Sequence, residues 1–261
     1  MFLIDTLHLD WKGEEILDVY KPFGSTPKEM ADQVKKITNA KKVAFSGRLD
    51  PMAHGILRVF LNDACGSAEK TNYVNKVYRF KFAFGLSTTS GDLLGFCKIF
   101  TQPKPIILED IVLFLKKIQQ NYMQKVPVHS SLPVMNKEGE KHPLWWWAKY
   151  NRLMEVEIPY FLRKLFSFHI IGFDEICLPD LVSMATERIS KISILHDFNQ
   201  KEIINAWKDT IKENEKIISF VTFEMCATVS SGFYIRQLVT DIGRHLDIPT
   251  TTLEIERIAY C

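Results

Sequence analysis

Residues 42–55, which read KVAFSGRLDPMAHG, are the most informative part of this chain. They place one carboxylate, Asp50, on a turn between two apolar segments, bracketed by Gly47, Pro51 and Gly55. Glycine adopts backbone angles that other residues avoid and proline fixes one of them, so the loop can be held rigidly. A carboxylate presented in this way suits a nucleophile or a base. The alternative is an ordinary Asp-Pro turn, in which the aspartate bonds its own backbone.

The composition is that of a globular protein without a strong charge. Of its 261 residues, 46% are hydrophobic, which is ample for a core, and the formal net charge is +2. So small a charge excludes an indiscriminate binder of polyanions, and any RNA surface must be a local concentration of Lys and Arg. The five cysteines are scattered without a Cys-x-x-Cys pair, which argues against a disulfide framework or a zinc site.

No targeting or membrane segment is visible. Residues 1–10 lack the charged region and long apolar run of a secretory signal, and no apolar stretch is long enough to span a bilayer. We therefore expect an intracellular, soluble protein without a metal site. Its compartment, whether cytoplasm, nucleus or mitochondrion, does not follow from the sequence.

Strand-like and helix-like segments interleave along the chain. Apolar alternation and β-branched or aromatic runs predict strands at residues 16–20, 78–84, 165–173 and 217–229. Capping residues and helical apolar periodicity predict helices over residues 27–38, 108–120 and 233–246. This order indicates a mixed α/β domain built on one large sheet.

Several segments around the Asp50 loop form an ordered set of motifs. They are Lys21-Pro22-Phe23-Gly24, the strand Lys76-Val77-Tyr78-Arg79-Phe80, the turn from Gly85 to Gly95, the segment from Val126 to Lys149, and Gly232-Phe233-Tyr234-Ile235-Arg236 followed by Asp241-Ile242-Gly243. In this order the set resembles the catalytic domain of the TruB family, the tRNA pseudouridine-55 synthases, over most of the chain. Arg48-Leu49-Asp50 is also similar to the RluA family, but the Tyr-Ile-Arg segment and the Lys-Pro-x-Gly turn favour TruB.

The resemblance implies the fold and the domain organisation. We expect the pseudouridine synthase fold, an α/β (α+β) domain whose mixed, mostly antiparallel central sheet is flanked by helices and loops. Residues 1–261 would form a single catalytic domain, with an RNA-holding loop and helix at about 124–152. The polar, helix-leaning segment at about 174–216 would be an insertion without assigned chemistry. The small RNA-binding PUA domain of many relatives would be absent.

The resemblance also implies the reaction, the isomerisation of a uridine to pseudouridine. The N-glycosidic bond is broken and the uracil is rejoined to the same sugar through carbon, which requires no cofactor. The base must first be flipped out of its RNA stack. Asp50 would be the essential carboxylate, attacking the sugar or the base, and Arg236 would hold it by a two-point bond. From the residues alone, the alternative for Arg236 is a surface salt bridge.

Four further residues are implied at the substrate. Tyr78 would stack on the flipped uracil and present its hydroxyl where a proton leaves; the alternative is a core tyrosine. Tyr234 and Ile255 match the positions that wall the uracil pocket, with Ile255 in place of the more usual Leu. Lys21, in the Lys-Pro-x-Gly turn, is also assigned to substrate binding.

Three positions depart from the family pattern. Phe45 stands where the family commonly has a His that helps to displace the target nucleotide, and a Phe can wedge and stack but cannot hydrogen-bond. Arg48 stands where a small residue is usual, and we expect it either to contact a phosphate or to compete with Arg236 for Asp50. His54 is expected to satisfy a loop carbonyl.

Basic residues set among aromatic ones are expected to bind RNA outside the pocket; they are Lys137, Lys141, His142, Trp145-Trp146-Trp147, Lys149 and Arg152. Three consecutive tryptophans on a helix cannot share one face, so at least one should be exposed, the alternative being that all three are buried. The expected partner is the T-arm of tRNA, bound by a monomer without a small-molecule cofactor or a membrane. Two alternatives remain: the same chemistry on another RNA, and a tRNA-folding chaperone with weak turnover.

Overall fold

The computed structural model describes residue 13 and residues 15–71, 73–100, 105–214 and 219–261. Its strands are β1 (Ile16–Lys21), β2 (Val43–Ser46), β3 (Ala53–Leu61), β4 (Lys76–Phe84), β5 (Leu86–Thr88), β6 (Cys97–Ile99), β7 (Tyr122–Lys125), β8 (Pro133–Met135), β9 (Lys141–Pro143), β10 (Tyr160–Arg163), β11 (Leu165–Cys177), β12 (Ser219–Val229) and β13 (Thr250–Tyr260). Its helices are α1 (Pro27–Thr38), α2 (Ala68–Thr71), α3 (Leu108–Gln120), α4 (Leu144–Lys149), α5 (Leu178–Ser190), α6 (Gln200–Glu213) and α7 (Ile235–Leu246). Residues 1–10, which carry the expectation about a secretory signal, lie outside the described residues.

A central sheet organises these elements. Within the described residues it contains seven strands, in the order β1-β3-β13-β4-β12-β11, with β2 also paired to β3. Neighbouring strands are antiparallel except β3 and β13, which run parallel. The pairs β5–β6, β7–β10 and β8–β9 form small sheets of their own. The expected mixed, mostly antiparallel sheet flanked by helices is confirmed.

The two faces of the sheet carry different helices because side chains alternate along each strand. Along β4, Phe80, Phe82 and Phe84 join the buried cluster that contains α3 and α7. Ala83, between them, joins the cluster of α5 and α6 on the opposite face. A third cluster fills the space between α1 and the strands β1, β2 and β3.

Local signals predicted the helices well. At the start of α1 the Thr26 hydroxyl accepts from the Glu29 amide at 3.2 Å, and the Glu29 carboxylate accepts from the Thr26 amide at 2.7 Å, which is a capping box. The predicted helices over residues 27–38 and 108–120 are confirmed. Helix α7 begins at Ile235, two residues later than predicted, because the amide of Phe233 closes a turn onto the Ser230 carbonyl at 3.3 Å.

The segment expected to be an insertion, at about 174–216, contains the end of a strand and two helices. Strand β11 continues to Cys177 because residues 174–177 pair with the first residues of β12. The helical part is therefore α5 and α6, residues 178–213. Residues 215–218, where the expected insertion ends and the last predicted long strand begins, lie outside the described residues.

Candidate active site

The Asp50 loop is a tight turn tied to the sheet by backbone hydrogen bonds. The amide of Ala53 donates to the Asp50 carbonyl at 3.0 Å, closing a turn with Pro51 at its first corner. The amide of Gly24 donates to the Pro51 carbonyl at 2.9 Å, which fastens the loop to the turn after β1. The backbone of the loop is therefore an Asp-Pro turn, and the Asp50 carboxylate that it carries pairs with Arg236.

Close packing of β3 against β13 supports this loop. Gly55 has a φ of +107°, and a Cβ added there would collide with the backbone carbonyl of Arg257. The Arg257 side chain is fully buried and donates to the Ile56 carbonyl at 2.6 Å and to the Gly47 carbonyl at 3.1 Å. A side chain of β13 thus holds the residue at which the Asp50 loop begins.

Asp50 and Arg236 form the predicted pair. The Nε atom of Arg236 lies 2.8 Å from Oδ2 of Asp50. The Arg236 side chain is 4% exposed and that of Asp50 is 39% exposed. Arg236 is therefore not a surface salt bridge, and the carboxylate that it contacts remains open to a substrate.

The expected two-point bond between these residues is wrong, because the other guanidinium nitrogens are used elsewhere. Nη1 of Arg236 donates to the Ser90 carbonyl at 2.8 Å, and Nη2 donates to the His129 carbonyl at 3.3 Å. The Nε contact with Asp50 is an ion pair without the alignment of a hydrogen bond. Backbone carbonyls from two turns orient Arg236, and its Nε atom makes the contact with Asp50.

Asp92 is a second carboxylate beside Arg236, and the sequence reasoning did not single it out. Its Oδ2 lies 3.5 Å from Arg236 Nε, and its side chain is 8% exposed. Its Oδ1 accepts from the Ser90 hydroxyl at 2.6 Å and from the Leu94 amide at 2.9 Å. The signal that could have found it was its place in the polar turn between Gly85 and Gly95, which the resemblance covered without assigning a role.

Arg236 is a buried cation between two carboxylates. Burial opposes its charge, but Asp50 and Asp92 outweigh that effect and raise the pKa of Arg236. Burial also raises the pKa of Asp92; Arg236 opposes this rise and Asp50 adds to it. One cation thus faces two acids, and burial disfavours the ionisation of Asp92.

The residues predicted at the uracil lie near the Asp50 loop. Tyr78 and Ile255, each 7% exposed, belong to one buried cluster with Leu49, the residue before Asp50. Tyr234 caps the start of α7, two residues before Arg236. Burial raises the pKa of its hydroxyl, and the Asp50 carboxylate adds to the rise. The structure thus groups all three around the loop, although Tyr78 and Ile255 are at the same time core residues.

Lys21 does not lie where a substrate could touch it, contrary to its assignment to substrate binding. Its side chain is fully buried, and its ammonium donates to the Pro22 carbonyl at 3.0 Å and to the Ala53 carbonyl at 2.5 Å. Burial lowers the pKa of Lys21 to about 7, and the charge of Asp50 works against this lowering. Lys21 therefore holds the Asp50 loop from beneath.

Phe45 and Arg48 differ in their exposure. Phe45 lies on the same face of β2 as Val43 and packs against the cluster of Met30 and Val34, so its ring is part of a core and not a free wedge. Arg48 is exposed, and the described residues include no carboxylate paired with it. Arg48 thus does not compete with Arg236, which leaves a phosphate contact as its expected task.

His54 was expected to hydrogen-bond a loop carbonyl. Instead, it bridges two side chains. Its Nδ1 lies 2.7 Å from the Tyr20 hydroxyl, and its Nε2 lies 3.1 Å from Glu254 Oε1. The other carboxylate oxygen of Glu254 accepts from Arg188 of α5 at 2.9 Å. His54 therefore joins β1, β3, β13 and α5 at the edge of the Asp50 loop.

The segment expected to hold RNA, residues 124–152, contains both exposed and buried tryptophans. Trp145 is 38% exposed, whereas Trp147 is fully buried and donates its indole N–H to the His142 carbonyl at 3.1 Å. The expectation that at least one tryptophan is exposed is confirmed. His142 stacks on Trp146 with ring centroids 3.8 Å apart.

Two of the basic residues expected to bind RNA are engaged within the protein. Lys149 donates to the Asp197 carboxylate at 2.5 Å, and Arg152 lies within 2.6 Å of the carboxylates of both Glu140 and Glu155. These ion pairs are exposed, so their charges are partly neutralised but not hidden. Lys137 and Lys141 remain exposed on the same segment.

The described part of the chain offers no metal centre built from three or more His, Cys, Asp or Glu side chains. All five cysteines are free thiols. In the ranges that the structure covers, no helix combines the length and the apolar character that crossing a membrane would require.

Known proteins similar to this chain identify its family. Residues 35–175, more than half of the chain, match the family model described as the N-terminal domain of the TruB family pseudouridylate synthases. The tRNA pseudouridine synthase B of Ureaplasma urealyticum is 31% identical over 164 residues, covering 62% of this chain and 68% of the relative. That of Staphylococcus epidermidis is 28% identical over 246 residues, covering 94% of this chain and 65% of the relative. The chain thus spans about two thirds of the length of these relatives.

The fold is also found among solved structures. A chain from the crystal structure of a Cbf5–Nop10–Gar1 complex superposes with a TM-score of 0.55 at 16% identity, covering 94% of this chain and 48% of that one. This similarity concerns the fold, whereas the family follows from the sequence match, which includes the Asp50 loop. The chain belongs to the TruB family of pseudouridylate synthases.

Proposed function

We propose that this protein converts the T-loop uridine at position 55 of tRNA to pseudouridine. The observation that carries the proposal is the pair of Asp50 and Arg236, in which a half-open carboxylate is held by a buried guanidinium within the motifs of the family. The curated relatives are named tRNA pseudouridine synthase B, which supports tRNA as the substrate class.

The reaction is an isomerisation and needs no outside reagent. The bond between C1′ of the ribose and N1 of uracil breaks, and a bond between C1′ and C5 forms. The hydrogen at C5 leaves as a proton and N1 gains a proton, so atoms and electrons balance. The uracil must turn between the two steps without escaping, which requires a closed pocket around a rigid carboxylate.

Asp50 supplies the charge for this exchange. It can add to C1′ and hold the sugar while the uracil turns, or it can add to the base; both routes require an ionised carboxylate in a fixed position. Arg236 provides the balancing charge, and the Ser90 and His129 carbonyls orient it. Because these contacts exist before substrate arrives, little reorganisation is needed during the reaction.

The neighbouring aromatic residues form the pocket. Tyr78 lies in the same buried cluster as Ile255 and Leu49, so its ring is fixed and can stack on a flipped uracil. Its hydroxyl would accept or relay the proton that leaves C5. Tyr234, at the start of α7, is held by Gln124, which bonds both its amide and its carbonyl at 2.9 Å.

RNA delivery would rest on exposed residues at two places. Arg48 is exposed within the Asp50 loop and would contact a phosphate beside the flipped nucleotide. Trp145, together with the exposed Lys137 and Lys141, would stack on and steer the T-arm. We propose that the protein acts as a monomer, which light scattering after size-exclusion chromatography checks.

The experiment measures tritium release from 5-³H-uridine transcripts, followed by mapping of the modified nucleotide. We expect one equivalent of release from full tRNA and from an isolated T-arm hairpin, and none when the target uridine is replaced by cytidine. Release that maps to another position or another RNA would overturn the T-loop assignment and retain the chemistry. Binding of tRNA without release would favour a tRNA-folding chaperone.

A further inference from the structure

The helices α5 and α6 carry none of the residues to which the proposed reaction gives a role. They pack on the sheet face opposite to α7, which carries Arg236. Their buried cluster nevertheless includes Met52 and Leu93. Met52 follows Asp50 by two residues, and Leu93 directly follows Asp92. The core of the insertion therefore contacts, from behind, both turns that carry the carboxylates of the site.

One hydrogen bond makes this contact specific. The indole Nε1 of Trp207, on α6, donates to the Leu93 carbonyl at 3.0 Å. Trp207 and Leu93 are both fully buried. A buried carbonyl that loses its donor carries a penalty, so this bond fixes the distance between α6 and the turn. Packing alone would allow the turn to slide along the helix.

The same turn holds Arg236 from its other side. Its Ser90 carbonyl accepts from Arg236 Nη1 at 2.8 Å, and its Asp92 carboxylate lies 3.5 Å from Arg236 Nε. Within the turn, the Ser90 hydroxyl bonds the Asp92 carboxylate at 2.6 Å, so the two groups move together. A displacement of Leu93 is thus transmitted to the guanidinium that faces Asp50.

We propose, as an inference that rests on the proposed function, that Trp207 is a positioning residue for the reaction. Its bond to the Leu93 carbonyl fixes the position of the Asp92 turn. That turn in turn fixes the position of Arg236 relative to Asp50. Reactive groups displaced by about 1 Å lose large factors in rate. The insertion is then part of the catalytic framework.

The first test replaces Trp207 by Phe, which keeps most of the ring and removes the N–H. We expect the single-turnover rate at saturating tRNA to fall at least tenfold, with the Kd for tRNA within twofold of wild type. The matched control is Ile203→Val, which removes a buried methyl from the same helix and keeps the indole; its rate should stay within twofold. A Trp207→Phe rate within twofold of wild type, or an equal loss in both variants, would overturn the proposal.

A double-mutant cycle separates positioning from general loosening. If Trp207 acts through the Asp92 turn, the rate losses of Trp207→Phe and Asp92→Asn will not add in the double variant. Additive losses would mean that Trp207 acts elsewhere.

A further measurement uses the native Trp207 and remains available if Trp207→Phe does not fold. The indole ¹⁵N–¹H resonance of Trp207, assigned by replacing the other tryptophans with Phe, should shift in Asp92→Asn. It should not shift in Asp18→Asn, which alters an exposed ion pair between Asp18 of β1 and Arg58 of β3. If the Trp207 indole resonance does not shift in Asp92→Asn, the link between Trp207 and the Asp92 turn is overturned. This result does not require an RNA substrate, so it is distinguishable from failure of the proposed function.

Discussion

Arg236 and Asp50 meet as a buried cation and a half-open anion, with Nε and Oδ2 2.8 Å apart and with 4% and 39% of the two side chains exposed. The asymmetry follows from their places in the fold. Arg236 lies in the first turn of α7, beneath two other turns, whereas Asp50 lies at the tip of its own loop. A substrate can thus reach the carboxylate, while the buried counter-ion is shielded from water. Electrostatic interactions are stronger in such a low-dielectric environment than in water.

Asp50→Asn should abolish turnover and leave folding nearly intact. The amide has the shape of the carboxylate and removes only its charge, and Asp92 remains beside the guanidinium. We expect tritium release to fall to about a thousandth of wild type or less, with an unchanged Kd for tRNA. Activity within tenfold of wild type would refute the role of Asp50. Asp18→Asn, which removes an exposed carboxylate on β1, is the control.

Arg236→Lys should lose both activity and stability although it conserves the charge. A lysine cannot reach the Ser90 carbonyl, the His129 carbonyl and Asp50 together. We expect at least a 100-fold loss of rate and a free energy of unfolding lower by about 2–4 kcal/mol, because buried acceptors are left without donors. Urea unfolding and tritium release measure the two effects. Arg79→Lys, in an exposed pair with Glu224, should change neither.

Tyr78→Phe should slow the chemical step more than it weakens tRNA binding, because the stacking face is kept and the hydroxyl is lost. Single-turnover rates at saturating RNA, compared with Kd, separate the two effects. The matched control is Tyr122→Phe in the same cluster, whose hydroxyl bonds Asp241 at 2.7 Å. That variant should lose about 1 kcal/mol of stability and keep its rate. If Tyr78→Phe raises only KM, its role is purely positional.

Substitutions of Phe45 should affect stability rather than base flipping. Its ring packs on the cluster under α1, so Phe45→Ala should cost about 1–3 kcal/mol, less than a fully buried Phe. Phe45→His should also destabilise, since a polar ring replaces an apolar one on a packed face. At temperatures where all three proteins are folded, their rates on full tRNA and on the T-arm hairpin should agree within a few fold. A rate lost in Phe45→Ala and regained in Phe45→His would instead establish a wedge.

Glu254 should make stability depend on pH in the acid range. The hydrogen bond from His54 lowers its pKa from 4.5 to about 2; burial opposes this, and Arg188 adds to it. Because the pKa is lower in the folded protein, the stabilisation is present above pH 4.5 and is lost as the pH falls towards 2. A shift of this size corresponds to about 3 kcal/mol, which partial exposure of Glu254 reduces to about 1–2 kcal/mol.

The Glu254 prediction is checked by urea unfolding at pH 7 and pH 3. The difference between the two free energies of unfolding should be smaller in Glu254→Gln than in wild type by roughly half of that 1–2 kcal/mol, because pH 3 lies above the folded pKa and part of the stabilisation remains. An equal difference in both proteins would show that the carboxylate of Glu254 does not depend on His54 and Arg188. Glu224→Gln, on the exposed side of β12, is a control that should leave the difference unchanged.

The elements that local sequence predicted correctly are those whose signals lie within a few residues. Thr26, Pro27 and Glu29 define the start of α1 because a capping box involves neighbours along the chain. The alternation along β4 identifies its faces for the same reason, since successive side chains point to opposite sides. Helix α7 was placed two residues early because the turn before it depends on a hydrogen bond and not on residue type.

The α/β class and the position of Asp50 on a turn follow from the residues along the chain, and the resemblance to the TruB family implied the pairing with Arg236. Other features depend on the complete fold: Arg236 is held by two carbonyls beside a second acid, Lys21 is buried, Phe45 packs against the cluster under α1, and Trp207 bonds the turn of Asp92. The difference lies in how far apart along the chain the interacting residues are. Turns and caps are set by adjacent residues, whereas burial and the contacts of Arg236 and Trp207 depend on how segments far apart in the chain pack across both faces of the sheet.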